Sequence, residues 1–273
     1  MTIFYFKCFI LLPNMNKKFL NSSDDEPYHK RLLLWILVWA HVMKGVLTLL
    51  ILFPSSKQPV KDAHIKSWSK RLLGLFGIEL KINNQSIVPD TPYLLASNHI
   101  SWMDIHAINA FKPIRFVAKS EVESWPIFGW MAKQLGTVFI ERGNSRHAIQ
   151  VVSNMINALA KESICIFPEG TSTDGATVRP FKANLFESAV ISQAPAYSLA
   201  IEYFDRKSGF RTDVTAFIGE MGLLESMSKI LKHRNLRVEL TFFPPSAASP
   251  GFSNDRKWLA LHSQEQISTY LAP

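Results

Sequence analysis

Cysteine is nearly absent: the 273 residues hold two, Cys8 and Cys165. One lies in an apolar N-terminal run and the other far away inside SICIF, so neither a disulfide framework nor a zinc quartet can be assembled. A reducing compartment fits this usage. Charge is scarce too, at 19%, against about 25% in an ordinary globular chain. With 47% hydrophobic residues, that composition excludes disorder as the main state, and equally a coiled-coil or collagen-like fibre. Mean hydropathy is only +0.06, far below that of a bundle of membrane-spanning helices. No internal repeat or low-complexity tract is present. Acid falls short of base: 30 Lys+Arg face 22 Asp+Glu, a net charge of +8. The excess favours an anionic partner, whether nucleic acid, an anionic membrane or a phosphorylated substrate. Aromatic–basic interleaving of the RNA-binding kind is missing, so no nucleic-acid partner is expected.

The apolar surplus is local. Residues 32–53 read LLLWILVWAHVMKGVLTLLILF, between Lys30-Arg31 and Pro54. As a helix this run is long enough to cross about 30 Å of hydrocarbon. Lys44 sits near its middle, at a cost of roughly 2.5–3.5 kcal/mol on insertion scales. His41, Lys44 and Thr48, spaced i, i+3, i+7, form one polar stripe. Two readings stay open: a single span with a snorkelling lysine, or a hairpin that dips into one leaflet and returns. The stretch 60–80 supports the hairpin, with Trp68, Leu72, Leu75 and Phe76 on one side and Lys61, Lys66, Lys70 and Arg71 elsewhere, as surface-lying helices show. Basic residues flank the run at both ends (Lys30-Arg31, then Lys57, Lys61 and Lys66), without the asymmetry of a crossing helix. A monotopic membrane anchor is therefore predicted. Residues 1–13 lack a basic leader and an A-x-A site, which argues against secretion, and Met15 is an alternative start. The organisation read from the chain is a flexible tail (1–30), membrane-associated helices (31–82), an α/β domain (83–245), and a C-terminal loop and helix (246–273).

From about residue 90, short apolar runs alternate with amphipathic ones. Strands are predicted at 92–97, 114–119, 137–142, 163–167, 197–203, 213–219 and 236–242. Helices are predicted at 103–111, 145–161, 183–192, 222–232 and 255–271. Such alternation predicts an α/β fold, a largely parallel twisted sheet flanked by helices.

Three clusters carry chemistry. The strand 92–97 runs into Asn98-His99-Ile100-Ser101-Trp102-Met103-Asp104. His99 and Asp104, about 140° apart on an ideal helix, share no helical face. If His99 stays in the turn while Asp104 enters the helix, the carboxylate can fold back onto the imidazole and leave its other nitrogen as a general base. The second cluster, Pro168-Glu169-Gly170-Thr171-Ser172-Thr173, follows a buried-type strand (Ile164 to Phe167) and offers a carboxylate, a close-approach glycine and anion donors. The third, Gly136 to Arg142 (GTVFIER), ends a strand with a guanidinium able to grip a phosphate.

In this order and spacing the clusters resemble the glycerolipid acyltransferases, the lysophosphatidate acyltransferases in particular. Asn98, His99, Ser101 and Asp104 match the N-H-x4-D block. Gly136, Phe139, Ile140 and Arg142 match G-x-x-F-I-x-R, and Phe167 to Thr171 match F-P-E-G-T. The phrases FVAKSEV, with Lys119, and PFK at 180–182 also look familial, and the likeness covers about residues 30–245. Two departures stand out. Ser172 occupies a position where many bacterial members carry arginine, leaving Arg179 or Lys182 as substitutes, and Ser198 stands where a proline is usual.

The resemblance implies acyl transfer from a thioester, acyl-CoA or acyl carrier protein, to the free hydroxyl of lysophosphatidate, forming phosphatidate. His99 would be the base and Asp104 its orienter. Arg142, Lys119 and Lys182 would hold the acceptor's phosphate. Glu169 and Gly170 would place its glycerol, with Thr171 supporting the turn and Asn98, Ser101, Gly136, Phe139 and Pro168 supporting the site. The partners would be membrane phospholipids and a lysophospholipid, at the cytoplasmic side of a bacterial inner membrane. No cofactor is implied. His106 extends the first block to H-x4-D-x-H, but no further ligand cluster supports a metal reading. An acceptor such as lyso-ornithine lipid or lysophosphatidylglycerol, a hydrolase using the same pair, and a non-enzymatic lipid binder remain the alternatives.

Overall fold

The computed structural model describes residues 26–141, 145–245 and 255–272, of which 145–148 by their backbone alone. Its seven strands are β1 (Ile78–Asn83), β2 (Leu94–Ser97), β3 (Arg115–Lys119), β4 (Val138–Ile140), β5 (Ile164–Ile166), β6 (Ala196–Asp205) and β7 (Leu236–Phe243). They form one sheet in the order β1-β7-β6-β2-β5-β3-β4. The five strands from β6 to β4 are mutually parallel. β7 runs antiparallel to β6, and β1 runs parallel to β7.

The central strands β2 (LLAS) and β5 (ICI) are buried throughout, as strands covered on both faces must be. Alternation sorts their side chains between two cores. Leu95 and Cys165 face one core with Leu72 and Leu73 of α2 (Gln58–Leu75), Ala107 of α3 (Met103–Phe111) and Ile230 of α8 (Leu223–His233). Leu94, Ala96, Ile164 and Ile166 face the other, with Val151 of α6 (Ser145–Leu159), Ala189 of α7 (Glu187–Ser192) and Leu259 of α9 (Arg256–Leu271). The short helices α4 (Ser120–Glu123) and α5 (Phe128–Gln134), which the sequence reading did not anticipate, lie between β3 and β4.

The apolar N-terminal run forms α1 (Tyr28–Leu47), continues through a wide turn (Thr48–Leu52) and a tight one (Phe53–Ser55), and returns as α2. Tyr28–Ser55 is the one helical stretch among the described residues long and apolar enough to cross a bilayer, by length and composition. The polar stripe faces inward at His41. Its ring stacks on Trp68 with centroids 4.7 Å apart, its Nε2 donates to the Trp68 carbonyl (3.0 Å), and Trp68 Nε1 donates back to the His41 carbonyl (3.1 Å). Gly45 permits this crossing, because a Cβ there would stand 2.7 Å from Trp68 Nε1. Leu33, Ile36, Leu47, Leu50 and Ile51 remain exposed on the outer face.

Two expectations are corrected. Residues 213–219 form no strand: β6 and β7 pair along their length, leaving no free partner there. The segment instead crosses as turns, where Phe217 N–H donates to the Ile100 carbonyl (2.9 Å). The amphipathic stretch 60–80 is not one helix either. α2 ends near Gly77, whose positive φ of 69° turns the chain into β1.

Candidate active site

The C-terminal ends of β2, β5, β3 and β4 lie on one edge of the sheet, where open α/β folds bind ligands. β2 stops at Ser97, but the Asn98 side chain prolongs its ladder: Oδ1 accepts from Ile201 N–H (2.8 Å) and Nδ2 donates to the Ile201 carbonyl (3.0 Å). Buried Asn98 thus fixes where the chain leaves the sheet and presents His99.

Asp104, in the first turn of α3, is fully buried and accepts four hydrogen bonds. Oδ2 takes His99 Nδ1 (2.8 Å), Ile100 N–H (2.8 Å) and Ser101 N–H (2.9 Å), and Oδ1 takes Tyr203 Oη (2.7 Å). Backbone donors at a helix start suit a carboxylate. Charge-assisted bonds of this kind stabilise by about 1.5–3 kcal/mol each. Ser101 closes the turn, its Oγ accepting from Met103 N–H (3.2 Å). Burial, reinforced by the neighbouring Asp104 charge, holds the Tyr203 phenol well above its ordinary range, so it serves as a donor. The Cys165 thiol is raised by the same two causes.

The His99 ring stacks on Phe167 with centroids 4.0 Å apart. Nδ1 is engaged by Asp104, which leaves Nε2 as the nitrogen free for proton chemistry, on a ring that lines the cavity. Glu169 is also buried. Its Oε1 accepts from His99 N–H (2.8 Å) and its Oε2 from Arg179 N–H (2.9 Å), tying the His99 turn to the segment leading to Lys182. Burial raises the Glu169 carboxyl above its ordinary value, against the pull of these two amides. Gly170 adopts φ +71°, and a Cβ there would stand 2.7 Å from Lys182 Nζ. The Pro168 carbonyl accepts from Lys182 N–H (2.9 Å).

His99, Lys119, Pro168, Gly170, Thr171 and Lys182 line a single cavity of about 1190 Å³ that runs to the α1–α2 hairpin. That volume accommodates a lipid-sized ligand. Asn98, Ser101, Asp104 and Glu169 stand behind this wall and hold it. Gly136 and Phe139 line a separate cavity of about 570 Å³ with Arg115. Arg142 lies outside the described residues. Ser172, in the position of the missing arginine, donates to the Phe217 carbonyl. Ser198 docks α9, donating to Gln266 Oε1 (2.7 Å). His106 packs against the rings of Trp68 (5.3 Å) and Trp102 (5.8 Å), and burial lowers its pKa to about 4. Among the described residues no three His, Cys, Asp or Glu side chains gather as a metal site. Sequence reasoning missed Tyr203. Its alternation with Tyr197, Leu199 and Ile201 places it on the Asp104 side of the sheet, but only strand register puts its hydroxyl on that carboxylate.

A helix-covered, mostly parallel sheet with a His–Asp pair opening on a lipid-sized cavity defines an α/β enzyme of lipid chemistry. Residues 79–202 match the family described as Acyltransferase. The chain is 31% identical to the lyso-ornithine lipid O-acyltransferase of Pseudomonas aeruginosa, over 77% of this chain and 78% of that one. It is 32% identical to the 1-acyl-sn-glycerol-3-phosphate acyltransferase of Neisseria gonorrhoeae, over 74% and 78%. Its fold matches the crystal structure of the 1-acyl-sn-glycerophosphate acyltransferase PlsC from Thermotoga maritima, with a TM-score of 0.59 at 21% identity, covering 88% of this chain and 96% of that one. The protein belongs to the acyltransferase family of lipid biosynthesis.

Proposed function

We propose that the enzyme transfers a fatty acyl group from acyl-CoA or acyl carrier protein to the free hydroxyl of lysophosphatidate, giving phosphatidate. The observation that carries this reading is the buried Asp104 carboxylate on His99 Nδ1 (2.8 Å), behind a ring that opens on the cavity. His99 Nε2 takes the hydroxyl proton as the acceptor oxygen attacks the thioester carbonyl. Asp104 fixes the tautomer and steadies the imidazolium. The tetrahedral intermediate collapses by breaking the C–S bond, and the imidazolium returns its proton to the departing thiolate. Ester and thiol leave, and the enzyme is restored.

Arg142, Lys119 and Lys182 hold the acceptor's phosphate. Gly170 and Thr171 border its glycerol, while Glu169 acts through the backbone by fixing His99. The hairpin anchors the enzyme monotopically on the cytoplasmic face of a bacterial inner membrane, where soluble donors meet embedded acceptors. Cysteines placed at residues 22 and 57, in a background lacking Cys8 and Cys165, test this. Labelling of one only from outside and of the other only from inside by an impermeant reagent contradicts it.

One observation favours a second acceptor. Glu121, Glu141 and Glu220 line the same cavity as Lys119 and Lys182, and Ser172 supplies no guanidinium. Mixed charge of this kind suits a zwitterionic amino-acid headgroup such as that of lyso-ornithine lipid. Purified enzyme offered both lyso-lipids with each donor decides between them: diacyl product from lysophosphatidate supports the first reading, product from lyso-ornithine lipid alone the second. Free fatty acid without diacyl product indicates hydrolysis and refutes both.

A further inference from the structure

The cavity has a second cationic end, remote in sequence from the catalytic loops. Lys44 follows His41 by three residues on α1, and His64 and Arg71 flank Trp68 by four and three residues on α2; all three line the cavity. Residues three or four apart on a helix are neighbours, and His41 lies directly on Trp68. The crossing of the two helices therefore sets Lys44, His64 and Arg71 each about one turn from the His41–Trp68 stack, with His64 and Arg71 on either side of Trp68 along α2. No carboxylate among the described residues pairs with any of them. Leu47, at the end of α1, and Leu50 and Ile51, on the wide turn that follows, stand exposed. Cations bordering an unpartnered aliphatic face mark the level where hydrocarbon meets headgroups.

We propose that Lys44, His64 and Arg71 form a site for the phosphodiester of an anionic bilayer phospholipid, separate from the acceptor site beside His99. An anion held there offsets the cost of a lysine within an apolar helix. The bound lipid fixes the hairpin's depth and keeps the cavity open toward the bilayer. This site does not depend on which acceptor is acylated.

Trp68 lies within the cluster, and the part of the emission change lost in Trp68→Phe reports on it. The full-length, detergent-solubilised protein is titrated with short-chain phosphatidylglycerol while tryptophan emission is followed, with inorganic phosphate and acyl-CoA as separate arms. Saturable, salt-sensitive binding of the lipid is expected, weakened about tenfold in the Lys44→Gln/Arg71→Gln double variant. The charge-preserving pair Lys44→Arg/Arg71→Lys should retain it, which separates loss of charge from loss of structure. Identical titrations of wild type and the Gln pair, or equal loss in both pairs, overturn the proposal. A response to inorganic phosphate alone, or to acyl-CoA but not to phosphatidylglycerol, assigns the cations to another anion and also overturns it.

Discussion

Tyr203→Phe removes one oxygen and leaves the packing of a fully buried ring almost unchanged, which makes it a sharp test of how Asp104 supports His99. In the wild type the phenol donates to Asp104 Oδ1 at 2.7 Å, while Oδ2 takes the other three donors. Loss of a hydrogen bond to a charged acceptor costs about 1.5–3 kcal/mol. Three donors still hold the carboxylate, so the fold should survive with a lower melting temperature. The plateau kcat should drop about tenfold as the carboxylate loosens, with KM for both substrates unchanged. Measurement needs wild type and variant assayed from pH 5 to 9 at saturating donor. Superimposable profiles with rates within twofold would refute the reasoning.

Gly170→Ala places a Cβ 2.7 Å from Lys182 Nζ at a φ of +71°, so melting temperature and turnover should both fall; wild-type values in both would contradict the geometry. Arg142→Ala should raise KM for lysophosphatidate at least tenfold and leave the donor's KM nearly unchanged, in steady-state kinetics with each substrate varied. For His106, burial lowers the pKa from 6.5 to about 4. The unfolded chain thus takes up this proton first, and the contribution to stability is complete above pH 6.5 and is lost as pH falls toward about 4. His106→Phe should flatten that part of the melting-temperature profile, measured between pH 7.5 and 4.5.

What the sequence made legible follows from the range of the forces involved. β2 and β5 stand out because burial on both faces leaves uninterrupted apolar runs, LLAS and ICI. His99 and Asp104 were readable as a pair because five residues of chain join them and a helix start favours the carboxylate. Tyr203 was not readable, since it reaches Asp104 across 99 residues through strand register. Glu169 looked like a substrate ligand from its motif, yet both its oxygens take backbone amides, one of them from His99 itself. Residues 213–219 have strand-like alternation but no strand edge to join, and a local pattern cannot report an occupied edge. β1 escaped notice because the apolar spacing of α2 runs on into it, and only Gly77 marks the break. The His41–Lys44–Thr48 stripe was visible, but its stacking partner Trp68 lies on another helix.

The most direct test of the account is turnover by purified His99→Ala beside the wild type, with acyl-CoA and lysophosphatidate and quantification of phosphatidate and free fatty acid. The wild type should release one thiol per phosphatidate formed. His99→Ala should lose at least a thousandfold in kcat while staying folded and membrane-associated, with a melting temperature lowered by the lost bond to Asp104, as expected when a general base is removed from a partly buried turn. Phosphatidate formation by His99→Ala within a few-fold of the wild-type rate would remove His99 from the chemistry and contradict the mechanism.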